Sequence, residues 1–200
     1  MNTRYTKVAI ILHWLIALII FGMLALGWYM ADLPKDAPKV MSLDLFNWHL
    51  HTVQFAEATS PRSYYFNLHK SFGVTVFALI LLRIYWRVTH AAPALPASIV
   101  AWQQKAAKAS HHLLYLLMFL MPLSGLIMGA YSKYGVKWFG TTVITGLDNE
   151  PMRLVFKEIH ENIALVIAIL VGIHVIAAFK HLLVDKDEVM GRMCLHKSPK

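Results

Sequence analysis

IHENIALVIAILVGIHVIAAFKH, residues 159–181, places His160 and His174 fourteen residues apart in an otherwise apolar run. Fourteen residues is close to four helical turns, so the two imidazoles share a helix face and stand roughly 21 Å apart along the axis. Between them only Glu161 and Asn162 are strongly polar, and both lie beside His160. His13 and His69 sit near the starts of two other long apolar segments. An ionisable residue inside such a segment is a functional candidate by default. Four histidines at two depths suit two haems, one above the other, inside a membrane.

Composition supports the membrane setting. The chain has 200 residues, 58% hydrophobic and only 15% charged, against about 25% charged in soluble domains. Four apolar blocks stand out at 8–30, 67–88, 111–130 and 158–183. Each is long enough for a hydrocarbon core of about 30 Å, which takes about 20 helical residues. The expected fold is all-α: a single-domain transmembrane four-helix bundle with an external loop at 32–66. A buried soluble bundle fits poorly with four spans carrying so little charge. The first block reads as a span rather than a cleaved signal, being longer than a usual signal core and lacking a small-x-small site after it. Cys194 is the only cysteine, an ordinary free thiol, so there is no disulfide framework.

Charge gives the expected orientation. Arg4, Lys7, Arg83, Arg87, Lys105, Lys108, Lys180, Lys186, Arg192, Lys197 and Lys200 fall on one side, opposed only by Asp185, Asp187 and Glu188. Eight bases and eight acids remain for the other segments. This asymmetry places both termini in the cytoplasm. Nucleic acid is not an expected partner of the +8 chain, because its basic residues are split by spans and no reading element is present.

Within the connections, Pro34 and Pro38 break the start of the external loop and Ser60-Pro61 its end, leaving room for a short amphipathic helix. Residues 99–110 read as an interfacial helix carrying Trp102. Pro122 can kink the third span, and Gly125 and Gly129, four apart, read first as a close helix contact.

Depth pairs the four histidines, His13 with His174 and His69 with His160, each pair joining the last helix to a different neighbour. Haem iron takes one imidazole nitrogen and a carbonyl or hydroxyl can take the other. Zinc fits less well, since His160 and His174 cannot reach one ion from a straight helix. His49 and His51 form a possible loop metal pair, with surface packing the plainer reading. Gly73, one turn beyond His69, can admit a porphyrin or a neighbouring helix. Arg83 and Arg87 are propionate partners or inward-retention charges, and Lys70 is their counterpart at the other end. His111 and His112 begin the third span at about the depth of His13, where His111 and Tyr115 can support a propionate or quinone, or one histidine can replace His13. Lys70, Lys133, Lys137, Arg153 and Lys157 can attract a small anion.

The stretches ILHWLIALII, NLHKSFGVTVFALILLRIYWR, HHLLYLLMFLMPLSGLIMG and IHENIALVIAILVGIHVIAAFKH together resemble the bacterial cytochrome b561 family, the four-helix dihaem type of the inner membrane. The specific part is the ordered set His-Trp, His-x3-Gly followed by Arg, His-x3-Tyr-x6-Pro-x2-Gly, and His-x13-His. The resemblance implies two b haems with His13, His69, His160 and His174 as axial ligands, and electron exchange with a membrane quinone. One branch oxidises superoxide at the outer face and reduces ubiquinone. The first external loop here is longer than in that branch's compact members and adds His49 and His51. The other function expected of such a chain is that of a cytochrome subunit docked on a periplasmic redox partner. Membrane lipid and a second copy of the chain complete the partners left open.

Overall fold

The computed structural model describes residues 4–45, 48–57, 59–96 and 99–195, with the side chains of 42–51 outside that description. Four helices are long and apolar enough to cross a membrane: α1 (Lys7–Asp32), α2 (Pro61–Thr89), α3 (Ala101–Tyr131) and α4 (Glu150–Lys180). Consecutive helices pack as neighbours, α1 on α2, α2 on α3 and α3 on α4. The arrangement is an all-α bundle of membrane-spanning length, with two small β-hairpins at one end and both termini at the other. These are called here the hairpin end and the terminal end.

Local signals explain where the helices begin. Thr6 caps α1, its hydroxyl accepting from the Ala9 N–H at 3.2 Å. Ser60-Pro61, expected to break the loop, is instead the N-cap and first residue of α2. Proline suits that position because its missing N–H would have no helical partner there. Asn149 caps α4 through the Met152 N–H at 3.2 Å, so that helix starts well before the apolar core. The segment expected as a separate interfacial helix at 99–110 is continuous with the third span as α3. No glycine or proline interrupts 101–121, and its alanines, glutamines and lysines favour helix.

The middle of the first hairpin-end loop departs from expectation. In place of an amphipathic helix it forms an antiparallel hairpin, β1 (Val40–Leu45) on β2 (Trp48–Gln54), with a register shift between Leu43 and Asp44. The residues VMSLDL and WHLHTVQ alternate with period two, which suits a strand and not a helix. Lys39 ties the base of this hairpin to the segment just before α2, its Nζ donating to the Glu57 and Thr59 carbonyls at 2.9 and 2.7 Å. A second hairpin, β3 (Val136–Trp138) with β4 (Thr141–Ile144), connects α3 to α4.

At the terminal end α4 continues as one π-turn, His181–Asp185, and the chain returns through a short 3-10 turn at Met190–Met193. That return is strapped to the start of the chain. Arg4 donates to the Gly191 and Cys194 carbonyls at 3.1 and 2.5 Å, and the Trp14 indole donates to the Met193 carbonyl at 2.8 Å. Lys197 and Lys200 lie outside the described residues.

The buried interior is small. Leu12, Ile16, Val76 and Ile80 form its centre, with Met118 packed against them. Large apolar side chains instead cover the outside of the spans, Leu18 being 72% and Ile176 71% exposed. A chain that turns its apolar mass outward is matched to lipid, where helix contacts depend on packing and not on exclusion of water. Ile80→Ala, at a site 1% exposed, should destabilise the bundle by about 2 kcal/mol through the cavity it leaves. Thermal unfolding in detergent should show this, while Leu18→Ala leaves the midpoint unchanged.

Candidate functional site

Two histidine pairs lie at different depths between α4 and its partners. Near the hairpin end, His69 of α2 faces His160 of α4 with ring centroids 6.2 Å apart and planes at 79°. Near the terminal end, His13 of α1 faces His174 of α4, also at 6.2 Å, with planes at 70°. A metal bonded to one nitrogen of each ring at about 2 Å, plus about 1 Å from nitrogen to ring centre on each side, requires about 6 Å between centroids. Both pairs therefore fit a single metal held by two imidazoles.

The surroundings of the first pair point the same way. His160 Nδ1 lies 3.0 Å from the Met121 carbonyl and 3.1 Å from Ser124 Oγ, both on α3. A ring held in this way by its Nδ1 has Nε2 left for a ligand role. His69 Nδ1 is buried without a hydrogen-bond partner, a costly state for a polar atom that is not engaged elsewhere. Glycines make room for both rings. A Cβ on Gly125 would come within 2.8 Å of His160 Cε1, and one on Gly27 within 3.4 Å of His69 Cε1. Gly125 therefore admits an imidazole, while Gly129 admits Val136 of β3, whose Cγ2 a Cβ would approach to 2.5 Å. Gly27 escaped the sequence reading; its only signal is its place five residues before the end of α1.

A cavity of about 1290 Å³ opens beside this pair, lined by His69, His160, Gly27, Gly73 and Gly125 among others. It exceeds the ~300–1,000 Å³ of ordinary small-molecule pockets. At Gly73 a Cβ would make only ordinary contact with Met23, at 3.8 Å. Lys70, Lys133 and Lys137 all line the same cavity, as do Arg153 and Lys157. Several of these charges are already engaged. Lys70 Nζ donates to the Gly135 carbonyl at 2.8 Å, Lys157 pairs with Glu161 at 2.8 Å, and Arg153 pairs with Glu150. Lys133 lies over the Tyr134 ring at 4.9 Å. Asp148 is a further acid of the lining.

The terminal-end pair has a different environment. Arg83 donates from Nη2 to His13 Nδ1 at 3.1 Å and from Nε to the Tyr115 hydroxyl at 3.3 Å, while its Nη1 is buried without a partner. His111 lies 5.8 Å from His174, centroid to centroid, so the arrangement brings three imidazoles together at this depth. Arg87 is exposed in the last turn of α2, and His112 is exposed beside His111.

His181, Asp185 and Asp187 make a separate potential metal-binding cluster, with ligand atoms within 4.8 Å of one another. His181 Nδ1 lies 2.6 Å from Asp187, and Lys180 already pairs with Asp185 at 2.5 Å. The sequence reading passed over this cluster, whose signal is the spacing His-x3-Asp-x-Asp. His49 and His51 belong to β2, and their side chains, with the metal pair they were considered for, lie outside the described residues.

Comparison with known proteins places this arrangement in context. A family model described as prokaryotic cytochrome b561 matches residues 4–195. The chain is 28% identical to cytochrome b561 homolog 2 of Escherichia coli (strain K12), over 95% of this chain and 90% of that protein. It is 26% identical to cytochrome b561 homolog 1 of the same organism, over 95% and 96%. It is 22% identical to a protein of Yersinia pestis named "Probable superoxide oxidase CybB", over 96% and 97%.

Gly125→Ala should displace the His160 ring, because its Cβ has no room beside Cε1. Extraction and quantification of haem should give about half the normal content per chain for this variant, if one of two sites is lost. Gly22→Ala, with nothing within 4 Å of the new methyl, should keep the full content.

Proposed function

Because this chain belongs to the prokaryotic cytochrome b561 family of membrane electron-transfer proteins, we propose that it carries electrons across a bacterial inner membrane through two b haems, oxidising superoxide at the hairpin end and reducing ubiquinone. His69 and His160 hold the outer haem, and His13 and His174 the inner one. The observation that carries this reading is the pair of matched imidazole separations, 6.2 Å at both depths. The orphaned His69 Nδ1 and the glycine approaches to His69 and His160 support it. Bound at these sites, haem b supplies reversible one-electron chemistry.

The chain's own residues do the rest. α4 fixes the vertical spacing of the two sites by carrying one ligand of each. Lys70, Lys133 and Lys137 line the outer cavity and attract a small anion there. Met121 and Ser124 hold the His160 ring in one orientation. Arg83, steadied by Tyr115, keeps Nη1 free of protein partners and offers it to a propionate or a quinone oxygen. Arg87, Tyr115 and His111 complete the polar wall of the inner site. The net chemistry balances when two superoxide anions each lose one electron to become dioxygen, and one ubiquinone takes both electrons with two protons. In this orientation both termini are cytoplasmic and both hairpins face the periplasm.

A second reading is supported by the β1–β2 hairpin, which gives the outer end a surface for a protein donor. The chain would then be a cytochrome subunit passing electrons between a periplasmic redox protein and the quinone pool. Anaerobic stopped-flow spectroscopy separates the two. Under the leading reading, superoxide reduces the haems directly, and adding ubiquinone reoxidises them. Neutralising Lys70, Lys133 and Lys137 together should slow haem reduction by about 10-fold or more at low ionic strength. The difference should shrink as salt shortens the Debye length. Fully loaded protein that dithionite reduces and superoxide does not would transfer the assignment to the subunit reading.

A further inference from the structure

The β3–β4 hairpin does not stand above the spans. It descends along the flank of α2. The Phe139 N–H donates to Ser71 Oγ at 3.0 Å, Ser71 Oγ lies 3.4 Å from the Lys137 carbonyl, and the Trp138 indole donates to Thr75 Oγ1 at 3.1 Å. Phe139 also packs edge-on to Phe72 at 5.6 Å. Ser71 and Thr75 lie two and six residues beyond His69, so the tip reaches about 9 Å further along the helix than that histidine.

Helix length decides what surrounds the tip. If water reached Thr75, only twelve residues would separate it from Arg87, about 18 Å of helix. That is well short of the ~30 Å hydrocarbon core. Counting about 20 residues back from Arg87 puts the outer boundary near Asn67, about 12 Å above the tip. Yet Trp138 is 46%, Phe139 58% and Val143 51% exposed.

The edge of β3 that faces α2 has partners at this depth. Non-helical backbone below the lipid boundary must have its polar groups satisfied. Here Lys70 takes the Gly135 carbonyl, and Ser71, itself 3% exposed, accepts from the Phe139 N–H while its own hydroxyl donates to the Asn67 carbonyl at 2.8 Å, with the Lys137 carbonyl further off at 3.4 Å. The ladder to β4 uses the other edge of β3. The turn is a two-residue one with φ of 44° at Phe139 and 95° at Gly140. Positive φ at both central residues favours Asn-Gly or Asp-Gly. A phenylalanine there is sterically unfavourable and sets a large apolar ring at the tip.

We infer that the β3–β4 hairpin is a re-entrant element whose Trp138–Phe139 tip is immersed in the acyl chains of the outer lipid leaflet. Its exposed aromatics continue the lipid-facing surface of α2, and its other side closes the outer cavity between α2 and α3, with Val136 1% exposed against Gly129. The inference rests on the membrane-spanning reading of the four helices and is independent of the electron donor.

The single native cysteine makes the test direct. In a Cys194→Ser background, Phe139→Cys, Val143→Cys, Lys133→Cys and Leu18→Cys are spin-labelled one at a time. Each haem-loaded full chain is reconstituted in phosphatidylcholine–phosphatidylglycerol vesicles. Power saturation then compares collisions with oxygen, which partitions into lipid, and with a water-soluble nickel chelate. Labels at 139 and 143 should follow the Leu18 label, with oxygen contact high and nickel contact low, while the label at 133 shows the reverse. Nickel contact at 139 and 143 equal to that at 133 overturns the proposal. Shielding from both reagents, with spin–spin broadening, assigns the surface to a second copy and also overturns it. Nickel access at Leu18 would remove the membrane reading itself, and this inference with it. Using two positions keeps the result readable if Phe139→Cys alone disturbs the turn.

Discussion

A neutral imidazole in a lipid-embedded helix carries two polar nitrogens that water cannot reach, and each has to find a partner inside the protein. This chain faces that demand four times, at His69 Nδ1 without a protein hydrogen bond to answer it, and most of its architecture follows. α4 contributes one ring at each of two depths and α1 and α2 contribute the facing rings, so α4 faces each of them at a separate level. Helices driven together only by dispersion would be free to close the space between those rings. The space persists where glycine replaces a side chain, at Gly27 and Gly125.

The two levels differ in kind. The outer ring pair borders a large cavity with lysines, arginine and carboxylates around it, most of them already paired. The inner pair is packed against Arg83, which forms no ion pair among the described residues and contacts the His13 ring directly. Coulomb energy falls with distance and with solvent screening. A charge in contact with a ring therefore weighs more on that ring than several charges spread over a rim. On the function proposed above, the first environment would collect a mobile anion and the second would hold a polar group in a fixed place.

Much of this was legible in the residues, and the gaps have physical causes. The four spans and the depth-matched histidines follow from hydropathy and helical spacing, which are local properties. The helix starts at Pro61, Ala101 and Glu150 lie outside the apolar cores because capping and propensity, not hydropathy, set where a helix begins. The β1–β2 hairpin shows a period of two that an expected amphipathic helix obscured. Gly27 and the His181–Asp185–Asp187 cluster could not be singled out because their meaning depends on which side chains fold against them. The role of Gly125 was only half visible: four-residue spacing to Gly129 announces a close approach but not that an imidazole is what approaches.

The strap at the terminal end bears on how the chain is made. Arg4 and Trp14 donate to carbonyls at 191–194, so α1, although synthesised first, waits for the segment beyond α4 before its own end is fixed. Until then α1 can enter the membrane and sit beside α2 but lacks the clasp next to His13. A nascent chain released early, or one lengthened by a bulky carboxy-terminal fusion close to Cys194, has its spans in place and the clasp undone. The clasp beside His13 therefore forms only once the segment beyond α4 has been made.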